Sequence, residues 1–562
     1  MAYSQAGMLH PCLAKCWTSV IRCIDRRPFS FFPHCYRGCM QAEFGMHGLV
    51  PIPMHFLRFF RQTGRSAVHW CIPLLLVFVL PWGGLFSGSA LAQPSLPATL
   101  GEPIDNLRTL SPDWSEQYRA PEHAAPDAAG SAEAGADKPV ELSDEDVKAN
   151  PQIAEIIINT ALQQRDWPTL ARVLPLYRQS FRHDAQMVSY VEGALLRQQG
   201  RQAEAIEQYR GMLARDAGLD YVRFDLAAML FENREHREAR ELFADTVGNP
   251  LVDRNFQEMA RQYLAQIVQR ERVNKRLRLR LLHNYNVNQA SDDRYLELGG
   301  WIFEKNAEFM PRSSAGLNYG LTLDQEWNLQ GNHFLSWELS ADGLHYSSAQ
   351  EFNENAVSLN LAYRWQDARS WLYAGPVLEL RWLDGKRYVN SHGVAAGHGR
   401  WLSPGWQATL HVRWMDKDYV DEALDDYDGH ALSVVPGLLR VISPNTAVFG
   451  GLVWQRERVS VRTESFEQRG LNGGFSTQWD KGLNLSGNVQ LAFRRHEGVH
   501  PLFAHQRRDR RLNAMLNIGH AGLNMAGFET KLGFQFEKVD SNIAELYSRT
   551  VRQWMLTAER RF

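Results

Sequence analysis

Three things are scarce in this 562-residue sequence. Cysteine stops early: Cys12, Cys16, Cys23, Cys35, Cys39 and Cys71 are followed by none. That excludes disulfides, thiolate metal sites and thiol redox chemistry from residue 72 onward. The two Cys-x3-Cys pairs lack nearby paired histidines, so they do not read as a metal site either. Excess charge is also missing, because 61 basic residues face 63 acidic ones. A balance of -2 gives no reason to expect nucleic acid as a partner. Finally, no uninterrupted apolar run reaches the ~20 residues of a membrane-crossing helix.

The longest apolar stretch is CIPLLLVFVLPWGGLF, residues 71–86, and it contains two prolines. Arg58, Arg61 and Arg65 precede it, and SGSALA follows before Gln93. A basic region, an apolar region and small residues, in that order, form a Sec-type secretory signal cleaved after Ala92. Met54 is the better start for such a signal, which leaves residues 1–53 as an upstream extension. The chain reads as exported.

Residues 93–147 are rich in Ala, Pro, Asp, Glu and Ser, too polar to offset their ordering entropy, and read as a disordered linker. Residues 148–273 then take a helical period. YVEGALLRQQGRQAEAIEQYRGML and FDLAAMLFENREHREARELFADTV align at a spacing of 34, pairing Ala194 with Ala228, Ala205 with Ala239, and Tyr209 with Phe243. Small residues let helices approach and the aromatic fills the gap, so the period indicates tetratricopeptide repeats. One step back, Leu162 and Ala171 stay in register but Pro175 stands where the aromatic should be; the first repeat is degenerate. Residues 254–273 read as a closing helix. An unrelated helical bundle is the competing reading.

From about residue 276 to 562 the period is two. VSLNLAYRW, WQATLHVRW and LNLSGNVQLAF each place apolar residues on one side and mostly polar ones on the other. Tight turn signals recur about every 40 residues: NLQGN, WQDAR, LSPGW, ISPNT, WDKGL and HAG. Longer charged connections, such as Asp416–Asp428 and Arg494–Arg511, lie between them. Short turns at one end and long loops at the other describe an antiparallel transmembrane β-barrel of about 14 strands. Trp327, Trp365, Trp371, Trp401, Trp406 and Trp479 sit beside the short turns, where an aromatic girdle belongs. A soluble sandwich would alternate too, but has no reason to gather tryptophan at one end of its hairpins. The fold class expected is therefore α + β: a tetratricopeptide α-solenoid followed by a barrel.

This combination resembles the surface lipoprotein assembly modulator (Slam) family, the type XI secretion translocons of Gram-negative outer membranes. YVRFDLAAMLFENREHREARELF (221–243) and HNYNVNQA (283–290) carry the resemblance locally, and it covers residues 150–562. It implies a translocator that captures client lipoproteins, or related haemophore-like secreted proteins, in the periplasm and delivers them to the cell surface. No cofactor is implied. In a repeat superhelix the first helix of each pair lines the concave face. That register puts Tyr190, Arg197 and Gln198, then Tyr221, Phe224, Phe231 and Glu232, in a client-binding groove. The opposing reading makes Tyr190 and Phe224 interhelical core. Other partners implied are outer-membrane lipid, lipopolysaccharide and the barrel insertion machinery. Phe562, sharing parity with Trp554, Leu556 and Ala558, resembles the signal that such machinery reads, although Arg560 interrupts the row.

The acidic stretch 416–428 carries seven acids and the stretch 494–511 six arginines with His496, His500 and His505. Calcium, zinc or haem binding is weakly encoded there; paired loops gating the barrel mouth are the stronger expectation. No nucleophile and base are placed together by any motif, so the chain does not read as an enzyme. The alternative function is a tetratricopeptide-barrel polysaccharide exporter. Neutral inward positions such as Asn484, Ser486, Asn488, Gln490, Thr409 and Ser358 weigh against it.

Overall fold

The computed structural model describes residues 143–562. The signal ending at Ala92, the start at Met54, and the linker as far as residue 142 lie outside the described residues. The last linker positions are already helical: α1, Asp144–Ala149, is capped by Ser143, whose hydroxyl accepts from the Asp146 N–H. Seven more helices follow: α2 (Pro151–Gln164), α3 (Trp167–Arg178), α4 (Ala185–Gln198), α5 (Gln202–Arg215), α6 (Asp220–Glu232), α7 (His236–Gly248) and α8 (Arg254–Glu271).

They pair as the repeat period requires. Ala205 and Ala239 are fully buried, and so are Tyr209 and Phe243, the aromatics matched to each other at spacing 34. Gly193 is there for Tyr209: a Cβ at that position would lie 2.1 Å from its ring. The first repeat is less degenerate than its sequence reads. The α2–α3 turn has two residues, 165–166, against the three of 199–201, so the second helix is offset by 35 rather than 34. At that offset Leu170, Leu174 and Tyr177 lie under Ala205, Tyr209 and Met212, and all are buried. Leu174 takes the aromatic's place, and Tyr177, one turn later, supplies a buried aromatic to the same core. Two apolar cores result, one running from Val147 to Val191 and one from Ala205 to Ile267.

The sheet begins three residues after α8. Strand β1 (Asn274–Asn284) is followed by a small hairpin, β2 (Tyr295–Leu298) and β3 (Trp301–Glu304). Then come β4 (Ser314–Gln330), β5 (His333–Tyr346), β6 (Glu354–Gln366), β7 (Ser370–Leu383), β8 (Lys386–Ser403) and β9 (Trp406–Tyr419). The chain continues through β10 (Gly429–Ser443), β11 (Thr446–Val459), β12 (Phe466–Gln478), β13 (Leu483–Val499), β14 (Gln506–His520), β15 (Glu529–Ser541) and β16 (Arg549–Arg561). A one-turn helix, α9 (Ala544–Tyr547), precedes β16. Strands β1 and β4–β16 form one closed antiparallel barrel of 14 strands, sealed where β1 pairs with β16. Closure leaves no sheet edge unpaired, the condition for crossing a bilayer with strands.

All six short turns fall between strands at one end, and the helices join the barrel at that end too. On β13 the register sets Val489 between Gly473 and Ala514 on the outer face, and Gln490 between Asn472 and Asn513 on the inner. Val489 and Phe493 are half exposed outward, while Gln490 and His496 are buried inward. Such outward apolar rows match a lipid solvent. At its end the barrel manages the charge of Arg560, whose guanidinium lies 4.3 Å from the Phe562 ring centroid and donates to the Ala526 carbonyl. The stem covers the apolar row and the head leaves it.

Three expectations are corrected here. The loops opposite the turns are mostly short, and 384–385 is a two-residue hairpin. Of the stretch 494–511 only residues 500–505 form a loop, because β13 and β14 extend through the rest. The acidic stretch likewise shrinks to 420–428, most of it one 3₁₀ segment. The girdle is also smaller: Trp371 is 1% exposed and turns inward, stacked on Tyr373, where Gly399 leaves room for it. Trp401 shares that inward parity, whereas Trp327 and Trp406 face out.

Candidate functional site

Two surfaces are candidates for a binding role: the first helices of the repeats and the barrel interior. On the repeats, Tyr190 stacks on Tyr209, meets Tyr221 edge-on at 5.3 Å, and donates to the Asp225 carboxylate at 2.5 Å. Burial and then Asp225 hold its phenol protonated well above the ordinary range. Arg197 pairs with Glu232, its Nε donating at 3.1 Å, and Gln202 donates to the same carboxylate. Burial alone would lower the Arg197 pKa, but Glu232 raises it on balance. These contacts tie α4 to α6 along the concave side.

Phe224 and Phe231 are placed differently from the groove register. Phe224 packs edge-on against Phe243 and Phe256, and Phe231 against Tyr263 at 5.1 Å, with the Arg270 guanidinium 4.2 Å from its ring centroid. Both are at most 5% exposed. Of the seven groove positions, Tyr221 offers the most accessible apolar surface, at 44%. Phe256 on the next first-helix, 38% exposed, extends it; in the sequence it falls in the closing helix, beyond the 34-residue register that marks the groove.

The second core is seated on the barrel. The Asn332 side chain donates to the Asn233 carbonyl, and the Ala368 N–H to its side chain at 3.3 Å. Helix α7 has no side-chain cap of its own; Asn328 accepts from the Arg237 N–H at 2.9 Å in its place. Beside it, His236 is 2% exposed, edge-on to the inward Phe334 of β5. Its Nε2 lies 3.2 Å from Arg270, so that nitrogen accepts and the ring is neutral. Burial, then Arg234, Arg270 and Arg240, push its pKa well below 6.5. The unfolded chain therefore binds a proton that the folded one refuses. Stability is full above about pH 6.5 and falls as pH drops below it, by at most ~1.4 kcal/mol per unit. Helical melting between pH 7.5 and 5 should show this slope, and His236→Gln should flatten it.

The barrel interior is charged rather than neutral, a further correction. Arg278 reaches Asp342 at 2.8 Å, Lys417 reaches Glu457 at 2.8 Å, and Glu379 holds both Arg381 and Arg413. Toward the loop end, Arg507 pairs with Asp509, and Arg511 and Arg549 share Glu537. Arg494 lies over the Phe466 ring at 3.7 Å. The neutral positions singled out from the sequence do face inward, but charged neighbours from adjacent strands pair across them. His496, His500 and His505 do not converge: His496 bonds the Thr463 carbonyl, His500 the Tyr547 hydroxyl, and His505 the Phe503 carbonyl. Only His500 and His505 lie in the loop.

Residues 276–562 match the family described as surface lipoprotein assembly modifier. Residues 140–243 match the N-terminal tetratricopeptide repeats of surface lipoprotein assembly modifiers. A surface lipoprotein assembly modifier of Pasteurella multocida is 22% identical over 514 residues, 87% of this chain and 95% of its own. Surface lipoprotein assembly modifier 1 of Neisseria meningitidis is 25% identical, over 72% of this chain and 82% of that one. The hemophilin secretion modulator of Acinetobacter baumannii is 21% identical, over 74% and 87%.

Proposed function

This chain belongs to the surface lipoprotein assembly modifier family, and we propose that it captures client proteins in the periplasm and carries them through the outer membrane to the cell surface. The barrel lies in the outer membrane and the repeats on its periplasmic side. One observation carries the reading: a closed barrel with a polar, charge-lined interior is fused to a repeat solenoid seated against its turn end. A passive pore has no use for the solenoid. The clients are lipoproteins or haemophore-like secreted proteins, in keeping with the names of the relatives. Inward charge removes the sequence argument against a polysaccharide exporter, but those charges pair with one another instead of presenting one sign to a polymer.

Tyr221 and Phe256 form the apolar part of the capture surface; Gln186, whose side chain donates to the Tyr221 hydroxyl at 3.2 Å, joins Arg197, Gln198 and Glu232 as its polar part. Interfaces lean on such partly exposed aromatics. Tyr221→Ala should lower client co-purification about tenfold, roughly 1.4 kcal/mol, with the barrel unaffected. Outward Arg495, Arg508 and Arg510, all exposed at the loop end, would meet lipopolysaccharide phosphates. Phe562, whose N–H closes onto the Lys275 carbonyl at 2.9 Å, would present the terminal strand to the insertion machinery. No reaction is assigned to the chain, and no cofactor.

The test is co-production, in a laboratory Gram-negative host lacking both genes, with a lipoprotein or haemophore-like protein from the same source as this chain. Protease added to intact cells should cut the client only when this chain is present. A client that stays protected beside a correctly inserted barrel contradicts the proposal.

A further inference from the structure

The longest connection at the loop end, residues 285–313, holds a feature that delivery as such does not explain. Its hairpin turns at Gly299 and Gly300, both at positive φ, which sets two strands in a tight two-residue turn. The register puts Leu296, Leu298, Trp301 and Phe303 on one face. Trp301 is 74% exposed and Phe303 52%. Among the described residues, no backbone hydrogen bond leaves either outer edge of the hairpin over residues 295–304.

The base, in contrast, is fastened. The Asp292 N–H donates to the Ser548 carbonyl at 3.1 Å and the Ser291 hydroxyl to the Ala544 carbonyl at 3.0 Å. Gln289 accepts from the inward-facing Arg549 at 3.0 Å. The stem is therefore tied to the adjoining β15–β16 connection, whose helix α9 packs beside β2. Trp301 and Phe303 of β3 stay exposed, and among the described residues the outer edge of β3 carries no backbone partner. A two-stranded sheet is marginal in water, and a third strand on an apolar face is what such a sheet lacks. Large exposed apolar faces with free edges are liabilities unless a partner uses them.

We infer that this hairpin is the exit-side acceptor for the client: an extended, apolar-alternating segment of the emerging polypeptide adds to its free edge and covers Trp301 and Phe303. The inference rests on the translocator reading. Charge separates a polypeptide from the lipid surface as occupant. Residues 292–305 carry four acids and two bases, so lipid phosphates repel the hairpin. Where the barrel wall does face those phosphates, it presents Arg508 and Arg510.

The experiment places the photo-crosslinker p-benzoylphenylalanine at Phe303, and as a control at the exposed Leu502 of the β13–β14 loop, in cells co-producing the client. A client adduct from position 303 and none from 502 is the expected result. In parallel, Leu298→Ser with Trp301→Ser should reduce protease-accessible client at least fivefold. Client should still co-purify with the variant, and the barrel should keep its heat-modifiable mobility. Adducts to lipid A or to a second copy of this chain, or undiminished delivery by the double variant, overturn the inference and leave the translocator reading standing. If the unaltered chain delivers no client, both fall.

Discussion

Glu537→Ala is expected to destabilise the barrel by ~3 kcal/mol, one of the two largest losses in the molecule. Glu537 is the shared partner of Arg511 and Arg549, at 3.1 and 3.3 Å, and all three side chains are 11–12% exposed. Removing the carboxylate from β15 leaves the guanidiniums of Arg511 on β14 and Arg549 on β16 facing each other across it. The desolvation cost of both remains and the attraction that offset it is gone. Glu537→Gln keeps an acceptor in place and should lose less. Urea unfolding of the barrel in lipid, followed by its heat-modifiable mobility, reads the difference. Strand β16 is half of the closing β1–β16 pair and β15 is its neighbour, so the loss should also slow barrel assembly.

Phe243→Ala should cost the repeat domain about 3–5 kcal/mol and leave the barrel folded. Phe243 is fully buried, stacked on Tyr263 at 4.6 Å and edge-on to Phe224 at 5.6 Å. It therefore joins α6, α7 and α8, the part of the solenoid that is hydrogen-bonded to the barrel turns. Repeat stacks are held by nearest neighbours, so damage stays local. The core from Val147 to Val191 is a separate cluster and should persist. Far-ultraviolet helical signal should melt in two steps, the earlier one lost to protease between α5 and α8. Phe243→Leu, closer in volume, should recover most of the stability.

The barrel was legible because lipid enforces a strict alternation: LNLSGNVQLAF crosses the membrane, and its two rows face as their chemistry requires. The six turns were legible for a related reason, since glycine, proline, asparagine and aspartate mark tight reversals. Legibility fails where water touches both faces. Above the membrane, Arg494 points inward and Arg495 outward, and a run of arginines on a strand looks like a loop. It fails again inside the solenoid. Helix α6 is buried on most of its circumference, with Leu226 through Phe231 all in the core. A register built for a peripheral helix then assigns Phe224 and Phe231 to a groove. The inner charges were missed because pairing across neighbouring strands is set by register, which single strands do not reveal.

Delivery requires the client to pass through the barrel, and β13 offers two adjacent positions that decide whether it does. Asn488 belongs to the inward row, and Val489, half exposed, to the lipid-facing one. A client stalled by a fast-folding domain fused to its trailing end would occupy the path. With p-benzoylphenylalanine at Asn488 a client adduct should form on illumination; at Val489 only lipid should be labelled. Delivery of client with no adduct from Asn488 or other inward positions would contradict passage through this barrel.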